Sequence, residues 1–400
     1  MQNKKSLKRT LGPWLLLFFG LGNILGAGIY VLIGKVAGEA GYLAPVSFAL
    51  AAVVAGLSAM SYAELSVRYP EAGGEVVYMQ RAFGWSVFSI IIGVLIASAG
   101  ILSSATILKG FAGYFQVLWP LPTSLIIVSA VSIIACVAVW GVKESLRVAA
   151  LFTLLEIFGL LLVVVPGLNL STITLQPITS QFEGMAPGVF AGVMAGAFLA
   201  FYAFIGFEDM VNMAEEVKQP EQNMPKAIVI ALFVSTSLYF LVAVVSISYV
   251  TPAMLGQSDA PLSHVYEVIT GRQPTLITLI SLFAVSNGAL VQIIMVSRLL
   301  FGMGREYPIF RVFNEVNSRT RTPVRATLLA AGLVLSLALW FPIKTLAEYT
   351  SSVVLLVFVG VNVAAIQLRR TQPKPLAGWR VPLPYLGIVA TLYLLVVNYI

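Results

Sequence analysis

Long apolar runs separated by short polar connectors dominate the chain. Each run holds roughly twenty mostly apolar residues, the length that an α-helix needs to cross the hydrocarbon core of a bilayer. A transmembrane β-barrel would instead show alternating segments of about ten residues. We therefore predict an all-α, polytopic membrane protein. Its eleven predicted spans are 13–36, 41–66, 85–113, 122–141, 146–168, 186–212, 225–250, 275–303, 324–341, 343–368 and 383–400.

The basic residues are distributed unevenly among the connectors. With the N-terminus in the cytoplasm, twenty of the 24 Lys and Arg residues fall on the cytoplasmic side, and only Lys35, Lys109, Arg272 and Lys344 fall on the other. Cytoplasmic loops of membrane proteins carry such an excess. The first apolar run is too long for a signal peptide and lacks a small-residue cleavage site. We therefore expect a multi-pass protein of the cytoplasmic membrane with a cytoplasmic N-terminus.

The composition excludes several classes of protein. Only 10% of the residues are charged and 59% are hydrophobic, whereas soluble domains carry about 25% charged residues. A soluble enzyme, a disordered regulator and a nucleic-acid-binding domain are excluded, even though the net charge is +7. One cysteine, Cys136, and one histidine, His264, cannot supply the usual metal sites or nucleophile–base pairs. We expect no metal, no cofactor and no enzymatic activity.

The first predicted span contains a segment that is a poor helix former. Four glycines and Asn23 lie within residues 20–28, and glycine is unfavourable inside a helix. A phosphate-binding loop is disfavoured because the glycine spacing is wrong and no strand precedes it. Two interpretations stay open: close helix packing through Gly22 and Gly26, or an unwound segment at mid-membrane that binds a ligand.

The sixth predicted span carries a matching feature at Gly206, which follows Gly28 by 178 residues. Each glycine lies in the first helix of a set of five spans, 11–168 and 186–370. Because five is odd, the second set enters the membrane from the opposite side, which makes an inverted repeat. We therefore predict one transmembrane domain over residues 1–400, with interrupted helices 1 and 6 and an additional C-terminal helix at 383–400.

Five motifs in order resemble those of the amino acid–polyamine–organocation superfamily of permeases. They cover nearly the whole chain, and their order and spacing make the resemblance specific. The resemblance implies a leucine-transporter-like fold of five plus five helices and amino acid transport by alternating access. The sequence departs from the family in showing eleven spans instead of twelve and in lacking the usual glycine near Glu306. The motifs are Asn23–Tyr30, Phe204–Glu208, Glu215–Pro220 with Asn223–Ile228, Ser297–Arg305 with Thr322–Val324, and Pro70–Gly74.

A broken helix can pair both charged groups of an α-amino acid without a side-chain charge. The amides of Ala27, Gly28 and Ile29 begin the second half of helix 1, where the helix dipole is positive, and suit the carboxylate. The carbonyls of Ile24 and Ile205 end the first halves of helices 1 and 6 and suit the ammonium. Gly26 would let the ligand approach the backbone closely. These residues are the predicted substrate-binding backbone.

The resemblance adds two side chains to the predicted binding site. It implies that Tyr202 is an aromatic gate over the substrate and that Gln292, in helix 8, contacts the substrate side chain. Packing within the bundle stays open as the alternative for Tyr202. With no clear acidic or basic cluster facing the site, a neutral substrate side chain is favoured.

Two carboxyls inside the spans are candidates for proton coupling or gating. Ionisable residues at membrane depth are expensive and usually functional. Glu156 lies among apolar neighbours in helix 5, where relatives of the resembled family often have a lysine, and Glu208 follows the helix 6 break. A static hydrogen-bonded carboxyl is the alternative for Glu156, and a brace at the inner gate is the alternative for Glu208. Asp209, Glu215 and Glu216 are expected at the cytoplasmic end, in a solvated or salt-bridged gate and not in contact with the substrate.

The predicted function is secondary active transport of amino acids, by proton coupling or by exchange. Sodium coupling is not favoured because Ser297 is followed by Arg298 where paired hydroxyls would be needed. Transport of an amine or polyamine on the same fold is the alternative. A channel, a membrane enzyme and a metal carrier lack the polar repeat, the catalytic set or the ligands they need. Expected partners are the amino acid, protons and membrane lipid, and the oligomeric state is left open.

Overall fold

The computed structural model describes residues 9, 11–71, 73–84, 86–140, 146–169, 179–181, 187–372 and 380–399. In this part of the chain the regular structure is helical, with one isolated backbone bridge between Leu11 and Val217. The helices are α1 Pro13–Leu25, α2 Ala27–Ala40, α3 Ala44–Arg68, α4 Gly74–Phe83, α5 Ser86–Leu118, α6 Thr123–Trp140, α7 Leu146–Gly167, α8 Pro187–Phe201, α9 Pro220–Tyr249, α10 Pro252–Gln257, α11 Pro261–Thr270, α12 Thr275–Glu306, α13 Val324–Trp340, α14 Ile343–Thr371 and α15 Leu383–Val397. Short 3-10 helices occupy Gly41–Leu43, Tyr202–Phe204, Glu208–Glu216 and Pro308–Phe313.

Proline and glycine mark several of the helix ends. Pro220 and Pro261 lie in the first turn of α9 and α11, where the missing N–H costs no hydrogen bond. Gly84 and Gly271 follow α4 and α11 with φ of 67° and 65°, the left-handed conformation that ends helices at glycine. Proline and glycine therefore help to determine where these helices begin and end.

The helices agree with the predicted spans to within a few residues, except that the sixth ends early. Among the described residues, eight helical stretches are long and apolar enough to cross a membrane. One of them, Pro13–Arg68, contains the first two predicted spans, and Val324–Trp340 and Leu383–Val397 are shorter apolar helices. The all-α class is confirmed, whereas the number of eleven spans and the boundaries of the two repeats stay predictions.

The outside of the bundle is apolar. Trp140, Trp340 and Phe233 expose 82%, 80% and 72% of their surface, which water would disfavour and lipid does not. Inside the bundle, rings pack edge to face, with Phe358 lying 5.3 Å from Tyr62 and 5.5 Å from Phe201 between ring centroids. Each such pair contributes roughly 0.5–1.5 kcal/mol beyond burial. This aromatic cluster lies beside the break in helix 6.

Ion pairs tie the helices together at the two ends of α3, a helix that is about 37 Å long at 1.5 Å per residue. At the α10 end, Lys344 pairs with Glu39 and Lys35 donates to the carbonyl of Gly256 at 2.7 Å. At the α4 end, Glu64 pairs with Arg68 and Arg369. Contacts between α2 or α3 and other helices therefore join the bundle at both ends.

The α4 end has a further contact made by the backbone alone. The N–H of Leu11 donates to the carbonyl of Glu216 at 3.0 Å, and the N–H of Lys218 donates to the carbonyl of Leu11 at 2.9 Å. The start of helix 1 is thereby joined to the segment that follows helix 6. The basic residues Lys4, Lys5 and Lys8, on which the predicted orientation partly rests, lie outside the described residues.

Candidate functional site

The first span is interrupted at a single residue. α1 ends at Leu25 and α2 begins at Ala27, with Gly26 between them at φ −48° and ψ −128°. The N–H of Gly26 still donates to the carbonyl of Gly22 at 3.2 Å. Since the first N–H groups of any helix lack intrahelical acceptors, the amides of Ala27, Gly28 and Ile29 are available at this point. The predicted break in helix 1 is confirmed.

The sixth span is interrupted over a longer stretch. α8 ends at Phe201 and gives way to the 3-10 turn Tyr202–Phe204, after which Ile205 is extended with ψ of 135°. Gly206 has φ of +128°, a conformation that side chains other than glycine rarely adopt. A 3-10 helix then runs from Glu208 to Glu216. The predicted break in helix 6 is confirmed, and it extends further than the sequence suggested.

The two breaks lie against each other through their glycines. A Cβ atom added at Gly28 would lie 2.6 Å from the Cα of Ala203, and one added at Gly206 would lie 2.6 Å from the carbonyl oxygen of Asn23. Real Cβ atoms essentially never approach so closely. Each glycine is therefore required by the backbone of the opposite break, which explains why both spans carry one at this point.

The hydroxyl of Tyr239, from α9, joins the two breaks. It donates to the carbonyl of Ile24 at the end of α1, and it also lies 2.9 Å from the carbonyl of Ala203. A phenol has one proton and can donate it to one acceptor at a time. The pair of carbonyls therefore offers more hydrogen-bond acceptance than Tyr239 can fill, which suits an ammonium group.

A cavity of about 530 Å³ lies between the breaks. Its lining includes most of the predicted binding residues, namely Ile24, Gly26, Gly28, Tyr202, Ile205 and Gln292, together with Glu156. Ile29 is fully buried behind it and does not line it. Ala27 contributes the first backbone position of α2. The cavity therefore brings the two breaks and most of the predicted binding residues together.

Glu156 reaches this cavity from α7. It is 1% exposed, and neither of its carboxyl oxygens has a hydrogen-bond partner, although Asn287 of α12 lines the same cavity. Its backbone carbonyl accepts a hydrogen bond of 2.6 Å from Tyr30 in α2. An unpaired carboxylate is costly at such a site. A proton or a bound cation would therefore be favoured next to Glu156.

Two more predicted side chains are placed by α5 and α12. The hydroxyls of Tyr202 and Ser103 lie 2.9 Å apart, and Tyr202 is also within 3.1 Å of the Ser103 carbonyl. The amide oxygen of Gln292 is buried without a hydrogen-bond partner. The ring of Tyr202 is thus anchored across the cavity by α5, and Gln292 offers an acceptor to a ligand.

The acidic residues after the helix 6 break lie deeper than expected. Asp209 lines the central cavity, and the Asn23 amide donates to it at 3.4 Å. Glu208 accepts a hydrogen bond of 2.8 Å from the N–H of Gly206 and lines a second cavity towards the α4 end. The tight 3-10 coil that begins at Glu208 keeps both carboxyls near the break. Asp209, which was expected at a cytoplasmic gate, therefore lies on the wall of the central cavity together with Glu156.

Several residues of the site carry no signal in the sequence. Tyr239, Ser103 and Asn287 each lie inside a long apolar run and are brought to the cavity only by the packing of α9, α5 and α12. The only indication in the sequence that these residues belong to the site is a polar side chain at membrane depth. That indication does not identify the group with which the side chain makes contact. Within the described residues, His, Cys, Asp and Glu form no group that could hold a metal ion.

The chain is similar in sequence to several known transporters. The sequence model of the amino acid permease family matches residues 11–400. The branched-chain amino acid permease BcaP of Bacillus subtilis is 29% identical, with 98% of this chain and 88% of that protein covered. The methylthioribose transporter of the same organism is 29% identical over 96% of this chain and 87% of its own. The vacuolar cationic amino acid transporter 2 of Arabidopsis thaliana is 31% identical over 92% of this chain, which spans 61% of that protein.

A solved structure shares the fold. The crystal structure of MhsT in complex with L-phenylalanine superposes with a TM-score of 0.67, covering 98% of this chain and all of MhsT at 12% sequence identity. At that identity the likeness concerns the fold alone. The predicted leucine-transporter-like arrangement, with helices 1 and 6 interrupted, is therefore confirmed.

Proposed function

The chain belongs to the amino acid permease family, a family of membrane transporters and not of enzymes, and on that premise we propose that it moves α-amino acids by alternating access around the two helix breaks. The observation that carries this proposal is the pair of breaks itself. They bring the start of α2, the end of α1 at Ile24 and the extended Ile205 of the helix 6 break to one cavity.

The shared groups of an amino acid fit the two sides of this cavity. Its carboxylate would accept hydrogen bonds from the amides of Ala27, Gly28 and Ile29, at the positive end of α2. Its ammonium would donate to the carbonyl of Ile24 and to that of Ala203 or Ile205. Because these contacts involve only backbone atoms, Tyr202 and Gln292 are left to contact the substrate side chain.

Proton coupling through Glu156 is the second part of the proposal. Glu156 is buried, has no ion-pair partner among the described residues and lies on the wall of the same cavity. A carboxyl in that position favours the protonated form when the cavity is empty of cations. Protonation and substrate binding would then be linked through one cavity, which is what symport requires. Glu208 is proposed as a brace or proton acceptor below the helix 6 break.

The orientation belongs to the same proposal. We place the α4 end in the cytoplasm, because the connectors at that end carry most of the basic residues, and we place the protein in the cytoplasmic membrane. Under this arrangement, Lys35 and Lys344 lie on the outer side and Arg68 and Arg369 on the inner side. Membrane lipid contacts the exposed apolar faces.

An amine or polyamine is the second candidate substrate. The acceptors Glu156, Asp209 and Gln292 on the cavity wall favour a cation, and they do not require that it carry a carboxylate. The neutral side chain that the sequence favoured has less support once these carboxyls are placed.

Counterflow in proteoliposomes separates the candidates. Liposomes loaded with each of the twenty amino acids, with putrescine or with methylthioribose would be tested for accumulation of the labelled compound, with and without a pH gradient. Accumulation of an amino acid that increases with an inward proton gradient is the expected result. Counterflow of putrescine or methylthioribose, with none of any amino acid, would overturn the proposed substrate class.

A further inference from the structure

The loop before α4 directs a carboxyl into the protein. Gly73 and Gly74 have φ of +121° and +43°, values that glycine accepts and most residues do not. A Cβ atom at Gly74 would lie 2.8 Å from the Asn212 side-chain oxygen, so the turn passes directly beneath the 3-10 segment of helix 6. Glu75 follows this turn and is only 4% exposed.

Glu75 lines a second cavity of about 480 Å³ that adjoins the central one. The two cavities share Ser103, Ile205, Asp209 and Gln292 in their linings. The second cavity therefore extends from the proposed substrate site towards the α4 end. Glu75 is the residue of α4 on its wall, and it directly follows the Pro70–Gly74 motif, to which the proposed transport cycle gives no role.

Four titratable groups face Glu75 from the elements around it. They are Tyr62 of α3, Tyr78 of its own helix, and Glu208 and Asp209 of the 3-10 segment. Within the described residues, neither Lys nor Arg forms an ion pair with Glu75. The walls contributed by α5 and α14 are uncharged. The cluster therefore has several carboxyls and no compensating cation.

A buried hydroxyl without a partner also faces this cavity. Tyr62 is fully buried, and its hydroxyl has no hydrogen-bond partner of normal length, which leaves it able to donate to, or accept from, a group in the cavity. Burial raises the pKa of Glu75 to about 7, and the charge of Asp209 acts in the same direction, while the backbone amide of Glu75 and the nearby Tyr62 hydroxyl lower it. Glu75 can therefore gain and lose a proton near neutral pH.

We propose that Glu75 is the group that exchanges the transported proton with water at the α4 end. This inference rests on the proton coupling in the proposed function and adds an exit route to it. In the transfer, one O–H bond breaks on Asp209 or Glu208 and one forms on Glu75. The subsequent ionisation of Glu75 releases H⁺ to water and restores its carboxylate.

The experiment compares Glu75→Gln with Glu71→Gln in the full-length protein in proteoliposomes. Glu71 lies four residues earlier, in the same loop, but its side chain is 46% exposed and pairs with Arg81, so Glu71→Gln is a matched control. Uptake driven by an imposed pH gradient and counterflow at equal pH are measured for both variants. Loss of proton transfer at Glu75 is expected to reduce gradient-driven uptake by at least about tenfold, while counterflow stays within about twofold of the wild type. Glu75→Asp is expected to restore gradient-driven uptake.

Four results would overturn the inference. Gradient-driven uptake by Glu75→Gln equal to that of the wild type and of Glu71→Gln would remove Glu75 from the route and leave the transporter proposal intact. Equal loss of counterflow and gradient-driven uptake, without rescue by Glu75→Asp, would show that Glu75 only holds α4 in place. Wild-type counterflow that ignores the pH gradient would reject this route together with proton coupling, and an absence of wild-type counterflow would reject the proposed function itself.

Discussion

The two helix breaks differ in length and in what they offer a ligand. In helix 1 the chain departs from helical geometry at Gly26 alone, and α2 begins at the next residue. In helix 6 the extended Ile205 and left-handed Gly206 are followed by nine residues of 3-10 helix. The first break leaves a compact helix N-terminus, and the second leaves carbonyls and carboxyls. The donors for an anion therefore come from the helix 1 break, whereas the acceptors for a cation come from both breaks.

The hydrogen bonds already present strengthen this division. The N–H of Gly206 is bound to the carboxyl of Glu208 at 2.8 Å, so the helix 6 break has one fewer amide to offer a carboxylate. The carbonyl of Ile24 shares the Tyr239 hydroxyl with Ala203. A carboxylate is thus best accommodated by α2, and an ammonium between the two breaks.

The largest expected effect is that of Gly28→Val on the helix 1 break. The added side chain would collide with the Ala203 backbone, where a Cβ atom alone would lie 2.6 Å from Cα, and it would cover the amides at the start of α2. Uptake of radiolabelled amino acid by proteoliposomes is expected to fall to background. Gly332→Val is the matched control, because Gly332 is exposed in α13 and a Cβ atom there meets nothing within 4 Å. Normal transport by a well-folded Gly28→Val protein would refute the helix 1 break as the binding site.

Glu156→Gln is expected to separate proton coupling from substrate binding. The amide keeps the size of the side chain but cannot take up a proton, so accumulation driven by a pH gradient should disappear while exchange at equal pH continues. Fluorescent pH measurement inside the liposomes would follow the proton directly. Glu267→Gln, at an exposed position of α11, should behave as the wild type. A proton response that survives in Glu156→Gln would make Glu156 a structural carboxyl.

Tyr202→Ala tests the side-chain part of the helix 6 break. The ring of Tyr202 lines the cavity beside Ser103, and its loss removes apolar contact with the substrate that corresponds to roughly 1.5–3 kcal/mol. We therefore expect KM to rise about ten- to a hundredfold, or the selectivity among substrate side chains to change. Tyr202→Phe, which lacks only the hydroxyl bound to Ser103, should have a smaller effect. Unaltered kinetics in Tyr202→Ala would show that the ring only packs in the bundle.

The smallest of these effects is expected for Tyr239→Phe, which removes the hydroxyl between the breaks. One hydrogen bond contributes about 0.5–1.5 kcal/mol net, which corresponds to roughly a two- to tenfold loss of substrate affinity. Binding would be measured by scintillation proximity, with the exposed Tyr385→Phe as control. Affinity equal to that of the wild type would mean that Ile24 and Ala203 are positioned without Tyr239.

The fold was predictable because membrane spans depend on composition over about twenty residues, a property that does not require knowledge of contacts. The breaks were predictable because glycine lowers the stability of the helix turn in which it lies, and Gly26, Gly28 and Gly206 lie inside otherwise apolar spans. The length of the second break was not predictable. That length depends on the hydrogen bond between the Gly206 N–H and the Glu208 carboxyl and on the packing of Gly206 against Asn23. Neither contact can be recognised from the sequence around the break.

The site was predictable in its backbone and less so in its side chains. Ile24, Gly26 and Gly28 follow from the break itself, and Tyr202 and Gln292 were implied by resemblance. Tyr239 and Ser103 reach the cavity from helices distant in sequence, so only packing identifies them. The depth of Asp209 was not predicted because it depends on the coil after the break, and Glu75 was overlooked because a carboxyl in a loop ordinarily faces water.

The backbone pairing of Leu11 with Glu216 and Lys218 limits how α1, the first half of helix 1, can move relative to helix 6. The start of α1 is bonded to the segment after helix 6 through Leu11, and its end is linked to Ala203 through the Tyr239 hydroxyl. A movement of α1 relative to helix 6 would therefore break hydrogen bonds at both of its ends. Either α1 and the 3-10 segment Glu208–Glu216 tilt together, or the two backbone hydrogen bonds of Leu11 break at a net cost of about 1 kcal/mol each. We expect the pairing at Leu11 to resist opening of the α4 end without contacting a ligand.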